Sequence, residues 1–337
     1  MNRYIRLISL TLSVLSFSVF SSGLRAEEEK NYIMATASTG GTYYPVGVAI
    51  ATLTKVKLQP THKIGISAIS SAGSAENIKL MRDNEAQFSI LQGLFGKYAW
   101  EGSGVFANEG KQRNIRSITM LWQNVEHFVL DNKYVKTGTI SDLVNAKGER
   151  LALGSKNSGT IESNRTILAN FGLDLDKDFD LLYAGYGPSS QALQDGKVVG
   201  MGTPAGVPVG AVINAFAQRS DITLLSFTPE QIQRADNGFD LWTPFTVKAG
   251  VYPGVNKDIV TIAQPNFLAV RDDIDEETVY LLTKAIYENL PFLNSIHKAT
   301  SDMALEKAIA GLPIPLHPGA IRYYKEQGLN IPDRLMK

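Results

Sequence analysis

Glycine in a short loop that also carries hydroxyl side chains recurs at four places where an extended run gives way to a helical one. The first is Thr39-Gly40-Gly41-Thr42-Tyr43-Tyr44-Pro45, between the apolar-leaning run 32–37 and a helical spacing of Val46, Ala49, Ile50 and Leu53. Glycine lets the backbone turn sharply and approach a ligand, and hydroxyls add donors and acceptors. Pro45 suits the first turn of a helix, where its missing N–H costs nothing. The other three are Ser70-Ser71-Ala72-Gly73-Ser74, Gly154-Ser155-Lys156-Asn157-Ser158-Gly159-Thr160 and Thr203-Pro204-Ala205-Gly206. A strand end, a polar glycine loop and a helix N-terminus together form a site for a small anion. Each loop alone also reads as an ordinary turn and cap, because Ser, Thr, Asn and Gly are what helix starts prefer. Lys156 is the cation within these loops, either a partner for a ligand carboxylate or a solvated side chain. Gln92, at the end of a predicted strand, reads either a ligand polar group or a structural hydrogen bond.

Signals for covalent or metal chemistry are poor. His62, His127, His297 and His317 are far apart and lack metal-ligand spacing. The chain has no cysteine, no Gly-x-Ser-x-Gly elbow and no Walker loop. Gly200-Met201-Gly202-Thr203-Pro204-Ala205 matches a dinucleotide fingerprint in form, but the acidic residue needed about 20 positions on is not at a strand end. No catalytic residue, metal or cofactor is therefore expected.

The elements around these loops alternate between strand and helix, which predicts an α/β fold. Strands are expected at 64–69, 86–91, 125–130, 151–153, 181–183, 198–201 and 222–227. Helices are expected at 75–82 with Ser74 as cap, 94–100, 161–171 closed by Gly172, and 188–193. A β-prone stretch over 260–270 is interrupted at Gln264-Pro265-Asn266. A long helix capped by Asp275 follows, then a shorter one over 301–310 closed by Gly311. The Pro-rich run 312–319 predicts an extended strand lying across the surface. In open α/β sheets ligands sit beyond the carboxyl ends of the strands, so loops on two lobes would face each other across a cleft. No low-complexity linker separates the lobes.

Residues 1–26 read as a secretory leader. Arg3 and Arg6 precede a mostly apolar run over 7–20, and small residues lead to a cut near Ala26. The apolar run is shorter than the ~20 residues of a spanning helix, the alternative reading. An extracytoplasmic location, such as a periplasm, follows. Of the 337 residues, 33 are basic and 33 acidic; without Arg3, Arg6 and Arg25 the balance is 30 to 33. That near-neutral charge is no footprint for nucleic acid. A chain this long favours two domains and can bury a core without disulfides.

Residues 38–47, Ser-Thr-Gly-Gly-Thr-Tyr-Tyr-Pro-Val-Gly, resemble the opening signature of the solute receptors of TRAP transporters, TAXI type. Ser74-Ala75-Glu76-Asn77-Ile78, Ser158-Gly159-Thr160, Ala205-Gly206-Val207-Pro208 and the run from Gly311 to Ala320 extend the likeness along the chain. The resemblance implies a type II periplasmic binding protein fold: two Rossmann-like lobes with a hinge and a central ligand cleft. It implies lobe I at 27–128 and 250–337 and lobe II at 129–249. It also implies a monomeric receptor, not an enzyme, handing a small organic acid to a fused or two-subunit membrane permease. The ligand residues would be Thr39, Gly40, Gly41, Thr42, Tyr43, Ser71, Ser74 and Gln92 from one lobe. From the other they would be Ser155, Lys156, Asn157, Ser158, Gly159, Thr160, Thr203 and Pro204. Where the family often has Gln-Ser-Asp this chain has Gln92-Gly93-Leu94, and Lys156 stands in a loop that often reads Pro-Gly-Ser-Gly-Thr. Both departures favour a dicarboxylate such as 2-oxoglutarate over glutamate or another amino acid. A sensory ligand-binding domain and an exported enzyme are the alternatives from other classes.

Overall fold

The computed structural model describes residues 29–337, so the leader expected over 1–26 lies outside the described residues. Eleven strands are present among them: β1 Lys30–Ala35, β2 Ile64–Ile69, β3 Phe88–Gln92, β4 Ile115–Val125, β5 Phe128–Asp131, β6 Arg150–Ala152, β7 Asp180–Leu181, β8 Gly200–Gly202, β9 Ile222–Leu224, β10 Thr243–Val247 and β11 Ile259–Arg271. They form two sheets. The first runs β10-β11-β3-β1-β2, with β4 also on β11; the second runs β7-β6-β8-β5-β9.

The first sheet is parallel through β2, β1 and β3, and antiparallel where β11 meets β3, β4 and β10. All five residues of β3 are buried, Ser89 and Gln92 included, as in a strand covered on both faces. In the second sheet, alternation divides the core: Phe128 and Leu130 pack into one apolar cluster and Val129 into the other. The chain passes from β4 to β5 through only Glu126 and His127. At that crossing Val125 also bridges to Ala205.

Several expectations need correction. The stretch expected to break at Pro265 is one thirteen-residue strand, β11; Pro265 sits opposite Gln123, and the register shifts just after it, between Asn266 and Phe267. The helix expected over 301–310 is replaced by 3₁₀ turns at Lys298–Asp302 and Leu305–Lys307, where the Ala308 carbonyl accepts from the Met120 amide at 2.7 Å. The Pro-rich run does not lie across the surface. Leu312, Ile314 and Leu316 are buried, and the Pro315 carbonyl and His317 amide bond to the backbone of Ser117 in β4. Ser74 is not a cap but the first residue of the helix Ser74–Arg82; its hydroxyl accepts from the Gln92 amide at 3.1 Å. β10 lies within 129–249, yet it pairs with β11 in the first sheet. No helix among the described residues is long and apolar enough to cross a membrane.

Candidate functional site

Four helices begin at one cavity. Tyr43 opens Tyr43–Lys57, Ser74 opens Ser74–Arg82, Gly159 opens Gly159–Asn170 and Tyr186 opens Tyr186–Gln194; each of these first residues lines the cavity. The first two belong to the half of the molecule built on the first sheet, the others to the half built on the second. Gln92, which precedes a fifth helix, Gly93–Glu101, lines it too. The closed space between the two halves is small, about 30 Å³, little more than a water needs, so the halves have to part before a ligand can enter. The first amides of a helix have no partner within it, and its N-terminus carries roughly half a positive charge. No Lys, Arg, Asp, Glu or His is among the described residues that line this space. The wall is built from amide dipoles, hydroxyls, one carboxamide and two aromatic rings.

The two halves touch directly around the cavity. The Tyr186 amide donates to Ser38 Oγ at 3.2 Å, the Glu76 amide to the Asn157 carbonyl at 3.1 Å, and Thr42 Oγ1 to the Gly206 carbonyl at 3.1 Å. Gly40 packs so closely that a Cβ there would lie 2.8 Å from the Gly187 nitrogen. A Cβ on Gly159 would lie 2.6 Å from Gln92 Oε1 and 3.0 Å from Ser74 Oγ. This is the geometry of a closed cleft.

Both rings are anchored by their hydroxyls. Tyr43 donates to Asn266 Oδ1, and its ring meets Trp122 edge-on at 6.0 Å. Tyr186 donates to the Pro204 carbonyl at 2.5 Å and shares a 2.7 Å hydrogen bond with Thr160 Oγ1. Burial raises both phenol pKa values, so neither ionises near neutrality.

Of the residues singled out in the sequence, Gly41, Thr42, Tyr43, Ser74, Gln92, Ser155, Gly159, Thr160 and Pro204 line the cavity. Thr39 and Gly40 instead line an outer groove with Pro45, Gly187 and Pro208. Ser71 holds the backbone: it donates to the Thr36 carbonyl and accepts from the Gly73 amide. Ser158 caps its helix, accepting from the Ile161 amide at 3.1 Å. Thr203 is buried but does not line the cavity. Asn157 is exposed. Lys156 is exposed as well, and its ammonium lies 5.1 Å from the centre of the Tyr183 ring. Sequence reasoning missed Ser38, Gly73, Gly185 and Tyr186 in the lining. Gly185-Tyr186-Gly187 carries the same strand–glycine–helix signal as the recognised loops and was findable by it.

Beside the cavity, at the crossing between sheets, lie two buried titratable groups. Glu126 is 1% exposed and its Oε1 accepts from Ser163 Oγ at 3.2 Å; burial pushes its pKa up to about 8. His127 is fully buried, with Nδ1 2.8 Å from the Val125 carbonyl and Nε2 2.7 Å from the Tyr252 hydroxyl. Burial lowers its pKa to about 4. Nε2 therefore accepts from Tyr252 while Nδ1–H donates. Neither side chain lines the cavity. Among the described residues no group of three His, Cys, Asp or Glu could hold a metal.

The fold is that of periplasmic binding proteins. A protein from Bordetella bronchiseptica superposes with a TM-score of 0.52 at 13% identity, covering 91% of each chain. PhnD1 from Prochlorococcus marinus, solved with methylphosphonate, gives 0.52 at 13% identity over 82% of this chain and 96% of its own. The periplasmic binding protein BugD gives 0.52 at 12% identity over 89% and 94%. Residues 34–328 match the profile of the NMT1-like family, and the chain accordingly belongs to that family.

Proposed function

We propose that this chain is an extracytoplasmic solute receptor that captures a small organic acid between its lobes and delivers it to a membrane permease. One observation carries the reading: the starts of four helices, two from each half, meet at a cavity whose walls offer amides and hydroxyls. That arrangement stabilises a compact anion without a dedicated arginine. The fold it shares with BugD and with PhnD1, itself solved with methylphosphonate, supports the reading.

The resemblance of residues 38–47 and 311–320 favours the TAXI type of TRAP receptor, serving a fused or two-subunit permease from the periplasm. Lobe I, 27–128 and 250–337, would close on lobe II, 129–249, by bending at the crossings, and the ligand would favour the closed form by touching both lobes. The sequence favours a dicarboxylate such as 2-oxoglutarate through Lys156. With that ammonium over Tyr183, the geometry supports one carboxylate at the helix starts, and the other end of the ligand has to be read from the cavity wall.

A thermal-shift screen of organic acids, amino acids and sugars tests the proposal. A ligand bound only by the folded state raises the melting temperature by mass action, so at least one small acid should do so. A response confined to neutral sugars would defeat it.

A further inference from the structure

We propose that the ligand is a monoanion: a compact acid whose carboxylate meets the helix starts and whose other end is an uncharged group donating a hydrogen bond to Gln92. This rests on the receptor reading above and replaces the dicarboxylate favoured by the sequence with a singly charged acid. Three observations support it.

The first is the wall itself. Its positive potential comes from helix ends alone, and no cationic side chain among the described residues lines it. One carboxylate suits such a cradle. A second, enclosed without a counter-charge, is strongly disfavoured. The second is Lys156, the cation that a dicarboxylate would call for: it is exposed, with its ammonium over Tyr183. The nearby Glu126 carboxyl adds no positive charge in either protonation state.

The third is Gln92. It is 3% exposed and lines the cavity, and its Oε1 has no hydrogen-bond partner among the described residues. Its backbone amide is held by Ser74 Oγ. The close approach of Gly159 crowds its carboxamide from the other lobe. A buried acceptor of this kind needs a donor. A hydroxyl or carboxamide on the ligand supplies one. A carboxylate brings only acceptors: it can meet the Nε2 donors of the same carboxamide but leaves Oε1 unmatched. Sites built around such a group discriminate strongly against an analogue lacking the matching atom.

The test uses isothermal titration at pH 7.5 with the chain lacking residues 1–26. Two pairs are compared, succinate with succinamate and glutarate with glutaramate. Within each pair the heavy-atom count is the same and one carboxylate becomes a carboxamide. The monoamide should bind at least tenfold more tightly. Gln92→Met, which removes the acceptor and keeps the length, should shrink that preference below threefold while retaining the native circular dichroism melt. Gln92→Lys, which adds a cation, should turn the preference toward the diacid. Lys156→Ala should change neither pair by more than twofold. Diacids that bind as well as or better than their monoamides overturn this inference and leave the receptor reading standing. A chain that binds no acid of either charge in a panel from two to six carbons loses both.

Discussion

The cavity wall and the crossing beside it are both buried and polar, but they handle charge in opposite ways. The wall has no titratable side chain except two tyrosines that burial keeps neutral. It collects potential from backbone dipoles, which need no proton and do not change with pH. The crossing holds a carboxyl and an imidazole side by side in sequence, both driven to their uncharged forms by desolvation. Polar surface meant for an incoming ion can stay open to it because dipoles are cheaper to bury than charges. The titratable groups of the crossing are held by specific partners, Ser163 for Glu126 Oε1 and Tyr252 with two carbonyls for His127, while Glu126 Oε2 has none among the described residues.

The largest effect expected from breaking this contrast is at the seam between the halves. Gly40→Val places a side chain where even a Cβ meets the backbone of Gly187 at 2.8 Å, and backbone cannot step aside. If closure is penalised by ~3 kcal/mol, affinity falls about 100-fold. The ligand-free melting temperature should stay within a degree or two. Calorimetry on a ligand from the acid screen reads the first, and differential scanning the second. Unchanged affinity would mean that this seam does not close during binding.

The crossing should reveal itself through pH. Glu126 has a folded pKa of about 8 against an ordinary 4.5. Between those values the folded state keeps a proton that the unfolded chain has lost, so stability falls as pH rises. His127 has a folded value of about 4 against 6.5. There the unfolded chain holds the extra proton, and stability rises with pH. From 4.5 to 6.5 the two oppose each other, each at about 1.4 kcal/mol per pH unit. Each substitution should therefore unmask the other group. Urea unfolding of Glu126→Gln should show a profile climbing through that window, and His127→Gln one that descends. Parallel profiles for both variants and the parent would remove the crossing from the pH balance.

The smallest effect concerns the anchor of one wall tyrosine. Tyr43 lines the cavity while its hydroxyl reaches Asn266, whose Nδ2 is buried without a partner among the described residues. Tyr43→Phe should cost about 1–2 kcal/mol of stability, because one more polar atom is left unmatched. Loss of ligand affinity alone, with stability intact, would give that hydroxyl a ligand-facing role rather than an anchoring one.

The junctions were the legible part of this chain. A glycine beside hydroxyls between a strand and a helix marks Gly41 to Tyr43 and Gly159 to Thr160 correctly, since the chemistry that starts a helix is local. The same local rule cannot say which way a side chain turns. Lys156 is adjacent to Ser155, which lines the cavity, and still points outward. Ser71 and Ser158, expected among the ligand groups, bond within the turns they stand in. β4 escaped because nine of its eleven residues are buried, leaving no alternation to detect. Glu126 escaped for a similar reason: its character comes from Ser163 and a desolvated crossing, contacts that no window of sequence contains.

The order of strands in the first sheet also governs when it can be completed. β1 and β3 emerge early, but β3 takes its second neighbour from β11, which ends at Arg271, and β4 is sealed only by the segment around Pro315 and His317. A piece of the chain halted before Ile259, such as one still growing on a ribosome, leaves β3 with one bare edge and β4 with no strand to lie against. Assembly of this half is therefore postponed to the last quarter of synthesis, whatever its early segments do on their own.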